Sequence, residues 1–213
     1  MAKYFSFFPK TYYLDDTGVE TTILTNIISR FAYEQSFKDN TSVFYKYDIK
    51  DSDTPEGISY KMYGSSERHW MILMLNDIVN PMYDWPLDYR KFIKFVNSKY
   101  TANASVGQTG LEWARTNVKE YVKIVTKTDI KSATISVDEY QIDSNTYANL
   151  VSSVETTTLS DGASVKIETT KKTKTYYEYE MDANEAKRTI KILKPEFAST
   201  VEQEFRRVIS NAA

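Results

Sequence analysis

The chain holds a single histidine, His69, and no cysteine. Those two counts together remove disulfides, thiolate metal sites, cysteine nucleophiles and any histidine cluster that would hold a metal. A lone imidazole still serves as a general base when it is presented to a substrate. His69 instead stands beside Trp70 at the head of an apolar stretch, the place of a packed or helix-capping ring. A Ser–His–Asp arrangement needs a presented nucleophile, and no G-x-S-x-G occurs. With 6 glycines there is no phosphate-cradling loop, and no Walker or dinucleotide fingerprint appears. Glycoside hydrolysis needs two carboxyls in one cleft, one with a raised pKa. The pairs on offer are Asp15-Asp16, Asp51 with Asp53, and Asp138-Glu139, all expected in polar surroundings that leave their pKa values ordinary. The reading is a non-enzyme with no catalytic, cofactor-binding or metal-ligating residues.

What the composition favours is adhesion. Aromatics make up 14%, with 17 tyrosines, and Tyr suits a surface half covered by partners as well as a Tyr-rich sheet. A net charge of −2 gives no electrostatic footprint for nucleic acid. The apolar run Trp70–Leu75 is far shorter than the ~20 residues that span a bilayer. Met1–Lys10 has neither a basic start with an apolar run nor a small-residue cleavage site, so a soluble, unsecreted protein without membrane contact is expected. The 213 residues suffice for one sizeable core or two modest ones.

The elements that would position an adhesive surface centre on Asp53–Leu87. Asp53 or Thr54 caps a helix that accepts Pro55 in its first turn, and Glu56 completes a capping-box spacing from Asp53. Ile58 and Met62 share a face, and Gly64 ends the helix as a left-handed residue. Ser65 or Ser66 caps a second short helix that is apolar almost all round from Trp70 to Leu75, hence buried on every side. Asn76-Asp77 and Asn80-Pro81 end it with turn chemistry.

Around this kernel the chain reads in order. An aromatic opening, YFSFFPKTYY, either packs on its own domain or forms a shared surface. Asp15–Gly18 is a turn, and Ile23, Leu24, Ile27, Ile28 and Phe31 predict an amphipathic helix over 22–37. Val43, Tyr45, Tyr47 and Ile49 alternate as a strand. Asp88 caps a helix striped by Tyr89, Phe92, Ile93, Val96 and Tyr100. Residues 101–110 read as the best linker. Beyond it Tyr121–Val125, Thr134–Val137, Val165–Thr170 and Thr175–Glu180 read as strands, with turns at Ser144-Asn145 and Ser160-Asp161-Gly162. After a charged start, Ile190, Ile192 and Leu193 lead to Pro195 and a helical face of Phe197, Val201, Phe205, Val208 and Ile209.

Two resemblances follow from these residues. The DT-x-x-x-I start, the Tyr63-Gly64 break and the Asn closing the second helix resemble a LysM module. The stretch NDIVNPMYDWPL at Asn76–Leu87 and the segment NEAKRTIKILKPEFASTVEQEFRRVI resemble the baseplate wedge protein of T-even-type contractile-tailed bacteriophages, the gene-product-fifty-three family. The residue patterns and the resemblance together give an α+β fold: a LysM-like strand-helix-helix-strand core with flanking helices, an antiparallel β region that carries little of the resemblance, and C-terminal helices. They divide the chain into an N-terminal aromatic segment and helix at 1–41, the LysM-like module plus following helix at 42–100, linker and β region at 101–180, and a C-terminal helical segment at 181–213.

The resemblance further implies a structural part of a virion's tail baseplate, assembled in the host bacterial cytoplasm, that joins neighbouring wedges around the hub. The implied partners are other baseplate wedge and hub proteins, the sheath-initiating baseplate protein and neighbouring wedge copies. Interface candidates are Phe5, Phe7, Phe8, Tyr12 and Tyr13 at the start, Tyr83, Trp85 and Leu87 in the loop stiffened by Pro81 and Pro86, and Phe197, Val201 and Phe205 on the last helix. Trp85 and the last helix face have an intramolecular core reading beside the interface one. The alternative function is binding of peptidoglycan or another N-acetylglucosamine polymer through the LysM-like unit. Against it, Ser52 stands where LysM units usually carry Gly, Pro55 replaces an apolar residue, and Tyr83-Asp84-Trp85-Pro86 replaces the closing Leu-x-Ile-Pro strand.

Overall fold

The computed structural model describes residues 4–14, 18, 21–27, 31–158 and 164–211. The described part of the chain is an α+β protein. In order, it comprises β1 (Lys10–Leu14), β2 (Thr21–Thr25), α1 (Gln35–Lys38), β3 (Phe44–Asp48), α2 (Pro55–Tyr63), α3 (His69–Leu75) and α4 (Pro81–Asp84). Then come α5 (Tyr89–Tyr100), α6 (Gly110–Thr116), β4 (Val118–Asp129), β5 (Ile135–Ile142), α7 (Ser144–Asn149), β6 (Ser153–Thr158) and β7 (Ser164–Thr175). The chain closes with α8 (Tyr176–Glu185), β8 (Thr189–Leu193) and α9 (Pro195–Asn211). It divides into two compact units, residues 1–88 with 185–213, and residues 89–184. The division runs differently from the four sequence segments: residues 89–100 lie with the β region, and the C-terminal residues lie with the N-terminal ones.

In the first unit β3 pairs antiparallel with β8, Phe44 opposite Leu193 and Asp48 opposite Thr189. A strand–helix–helix–strand order results, but its last strand arrives after the whole second unit. Thr189–Leu193, inside the segment expected to be helical at 181–213, is thus a strand, and Tyr83-Asp84-Trp85 closes no sheet: α4 ends there and Trp85 is extended. The cap of α2 resolves to Thr54, whose Oγ1 accepts the Gly57 N–H at 3.1 Å, with Pro55 in the first turn. No capping box forms, because Gly57 occupies the third helical position. Gly64 takes φ +68°, the left-handed turn that stops the helix. Ser65 caps the next turn, its Oγ accepting the Glu67 N–H. Ile58, Met71, Ile72, Ile192, Leu193 and Ile209 are fully buried, drawing α2, α3, β8 and α9 into one core.

Two side chains finish the outer edge of β8. The bonds from Ile49 N–H to Arg188 and from Lys194 N–H to Val43 set the ladder's phase, which turns the polar backbone groups of Lys191 and Leu193 away from β3. Asn76 meets the first pair: its Oδ1 accepts the Lys191 N–H and its Nδ2 donates to the Lys191 carbonyl, each at 2.8 Å. The Tyr63 hydroxyl donates to the Leu193 carbonyl at 3.0 Å. The Lys191 backbone is thereby paired on both its polar groups, and Leu193 on its carbonyl.

The helix expected over 22–37 is corrected. Thr21–Thr25 is a strand paired with Lys10–Leu14, Tyr12 opposite Ile23, and among the described residues of this stretch helix is limited to the four of α1. The threonines flanking Ile23-Leu24 favour an extended chain, and an aromatic strand of matching length lies upstream. Ile28 lies outside the described residues, as do 15–17 of the first expected turn and the turn at Ser160-Asp161-Gly162.

The second unit is a four-stranded antiparallel sheet, β5-β4-β7-β6, with four helices of its own. Residues 101–110 are no boundary. Thr109 and Glu112 form a capping box that starts α6, and a Cβ on Gly110 would lie 2.2 Å from the Asn97 carbonyl oxygen. Only glycine lets α6 begin so close to the end of α5. Phe92, Val96 and Tyr100 are the buried stripe of α5, while Tyr89 is exposed. Tyr100 stacks on Trp113, and Tyr176 lies edge-on to Tyr100. The expected strand over Thr175–Glu180 is instead the start of α8, and the expected turn at Ser144-Asn145 opens α7, capped by Asp143.

Candidate partner-binding surface

The aromatic residues of the first unit separate into an inward and an outward set. Tyr4, Phe7, Phe8, Phe31 and Trp70 gather round Phe205 of α9, with ring centroids from 4.5 Å (Trp70) to 6.4 Å (Phe8). Edge-on and offset contacts of this kind stabilise beyond the area they bury. Phe8 and Phe205 are therefore core residues, a correction to their place among the surface candidates. Phe197 and Val201 are half-buried against the same core, and Leu87 is half-buried. Trp85 packs there too, and its Nε1–H donates to the Asp53 carbonyl at 3.1 Å.

The outward set is small and built. Nine of the ten positions of β1 and β2 are exposed, including Tyr12 (72%), Tyr13 (55%) and Ile23 (59%). The register puts Tyr12, Leu14 and Ile23 on one face of this ribbon and Tyr13 and Leu24 on the other. A two-stranded ribbon with apolar side chains on both faces is marginal in water alone. Phe5 is also exposed. Further along, Met82 (83%) and Tyr83 (73%) stand out from α4. That turn is braced: Asn80 Oδ1 accepts the Met82 N–H, Asp84 Oδ2 accepts the Asn80 N–H, and Lys187 Nζ donates to the Tyr83 carbonyl at 2.6 Å. Met82, Val79 and Leu24 were missed in the sequence, where aromatic type was the main signal used. Alternation between Thr and apolar residues in β2 would have found Leu24.

The residues weighed for chemistry take structural places. His69 opens α3 with its Nδ1 2.9 Å from the Ser66 carbonyl oxygen. Asp51 pairs with Arg188 at 2.7 Å, and Asp138 with Lys127 at 2.9 Å; Asp15 and Asp16 lie outside the described residues. Asp53 corrects the expectation of a polar, ordinary carboxyl. It is buried, which pushes its pKa up, but Lys61 Nζ (2.7 Å), the Tyr47 hydroxyl (2.7 Å) and the Lys50 N–H (3.1 Å) outweigh burial and bring it to about 2. A carboxyl held there stays ionised at neutral pH, the reverse of the proton donor that glycoside cleavage needs. Among the described residues no group of three or more His, Asp or Glu side chains stands where it would hold a metal ion, and no helix is long and apolar enough to cross a membrane.

Fold and surface together define a scaffold with large exposed side chains on a ribbon and a braced turn. The family described as base plate wedge protein 53 matches residues 3–208, and the chain belongs to it. It is a structural component of a phage tail baseplate. A comparison with curated proteins returns no match.

Proposed function

We propose that this chain joins neighbouring wedges around the hub during tail assembly in the bacterial cytoplasm, with wedge, hub and sheath-initiating baseplate proteins as its partners. The observation that carries the proposal is the outward set: the β1–β2 ribbon with Phe5, and the braced turn bearing Met82 and Tyr83. Met82 and Tyr83, held on the braced turn, lose little freedom on binding, and the ribbon gains order when its apolar faces are covered. The inward aromatics then do a different job, holding the base of the ribbon to α9.

The test is assembly in an extract of cells infected by a phage that lacks this chain. Added wild-type protein is expected to sediment with complete baseplate rings, whereas Tyr83→Ala combined with Met82→Ala leaves free wedges. Rings that form equally well without any added chain would refute the proposal.

A further inference from the structure

The two short sheets of the first unit treat their outer edges in opposite ways. On β8 the outward N–H and carbonyl of Lys191 are met by Asn76, and the Leu193 carbonyl by Tyr63. On the ribbon, the bond from Asn26 N–H to the Pro9 carbonyl sets the phase of the ladder. Counting by twos, Thr11/Leu24 and Tyr13/Thr22 exchange bonds within the ribbon. Lys10, Tyr12 and Leu14 on β1, and Thr21, Ile23 and Thr25 on β2, turn their N–H and C=O groups outward. Among the described residues no third strand lies along either edge.

The edges are not equivalent. Strand edges are commonly guarded by proline and lysine; β1 opens on Lys10 and is preceded by Pro9. β2 reads Thr-Thr-Ile-Leu-Thr, without charge or proline. Lys10 reaches across to β2, its Nζ donating to Thr25 Oγ1 at 3.2 Å, so one end of the β2 edge carries a cation and its middle carries Ile23.

We propose that the β2 edge takes up an extended strand of another baseplate protein, one with an apolar side chain beside Ile23 and an acidic one beside Lys10. This rests on the baseplate reading above and names the chemistry of the contact. A five-residue strand pairing alone covers far less than the roughly 800 Å² per partner of a stable interface. A second copy joined only edge to edge therefore fits poorly. The apolar side chains on both ribbon faces add the remaining area, so the partner's strand lines a cleft that also covers Tyr12, Tyr13 and Leu24.

The test uses the same depleted extract with two full-length variants. Ile23→Pro removes an outward N–H without touching a bond inside the ribbon; Ile23→Thr keeps the N–H and the strand preference. Incorporation of Ile23→Pro is expected to fall about tenfold or more, the worth of one edge bond and its neighbours, with Ile23→Thr close to wild type. In intact baseplates, amide exchange across Thr21–Thr25 should slow relative to the free wild-type chain. Ile23→Pro entering rings like wild type, or exchange unchanged on assembly, overturns strand addition while leaving the joining role intact. Equal exclusion of both variants also overturns it, since the side chain alone would then matter. A free chain that sediments as a dimer, with Ile23→Pro monomeric, replaces the partner by a second copy. Wild type absent from rings removes the baseplate reading itself.

Discussion

The Asn76 side chain pairs with the backbone of Lys191 as a peptide group would, accepting its N–H and donating to its carbonyl, both at 2.8 Å. The same Nδ2 also donates to the Ile72 carbonyl at 2.8 Å, the last turn of α3. One amide thus ties the end of a helix to a strand that the chain supplies only after a second compact unit. Asn76→Ala should lower the unfolding free energy by about 2 kcal/mol, since it strands partly buried backbone groups. Asn76→Asp keeps only the acceptor and should cost nearly as much. Urea titration of both variants checks this, and an alanine variant as stable as wild type would remove Asn76 from the account.

Gly110 makes a matching case in the second unit. Its missing Cβ leaves room for the Asn97 carbonyl oxygen, the Thr101 amide and the Tyr100 carbonyl carbon, all backbone atoms that cannot swing aside. Gly110→Ala is expected to destabilise residues 89–184 by about 3 kcal/mol. Thermal melting of that fragment, with and without the substitution, measures it; a difference under ~0.5 kcal/mol would contradict the close approach.

Acid acts on the first unit through Asp53. Its folded pKa, about 2, lies below the ordinary 3.8, so the folded state binds the proton less readily than the unfolded one. The stabilisation is complete above about pH 4 and is lost as pH falls toward 2. Asp53→Asn should lower stability at pH 7 and flatten that part of the pH profile. An unchanged acid limb in the variant would show that other carboxyls govern it.

At the opposite extreme, burial pushes the Tyr33, Tyr63 and Tyr100 hydroxyls well above the ordinary tyrosine range. Their raised folded pKa stabilises the protein below about pH 10 and ceases to do so as pH rises beyond it. Absorbance titration should show a late group of tyrosines that ionise only with unfolding. A single smooth titration of all the tyrosines around pH 10 would argue against this burial.

Trp85 and Tyr83 are two residues apart and should behave differently. Trp85→Ala loses core packing and the bond to the Asp53 carbonyl, at a cost of about 3 kcal/mol. Tyr83→Ala removes a side chain 73% exposed and should leave stability within ~0.5 kcal/mol. Paired denaturation curves decide it, and a Trp85→Ala protein of full stability would return Trp85 to the surface set.

Local signals fixed much of the first unit's kernel. Thr54 followed by Pro55, Gly64 at a left-handed stop, and the helix from Trp70 to Leu75 depend on the chain within a few residues and form as their types dictate, although Leu73 and Met74 are half-buried, so that helix is not buried on every side. The strand expected around Tyr45 and Tyr47 forms as β3, but its alternation does not hold: Phe44 is buried and Tyr45 is exposed, since β3 packs through Phe44 on the core. Thr21–Thr25 does not form as its pattern suggests, because the same apolar residues satisfy helical spacing, and only the strand at Lys10–Leu14 decides between them. The start of α6 was hidden by the small polar residues that precede it, which read as linker until the capping box and the packed Gly110 are seen.

The sequence by itself determined the absence of cysteine chemistry, the aromatic richness, the capped helices and the family resemblance. The tertiary structure alone decided which aromatics face solvent. Phe8 and Tyr12 differ little in type, yet one closes on Phe205 and the other stands free on the ribbon. It also decided that Ile190–Leu193 completes the sheet begun at Phe44, because strand pairing is set by registers between distant segments and no local pattern records them.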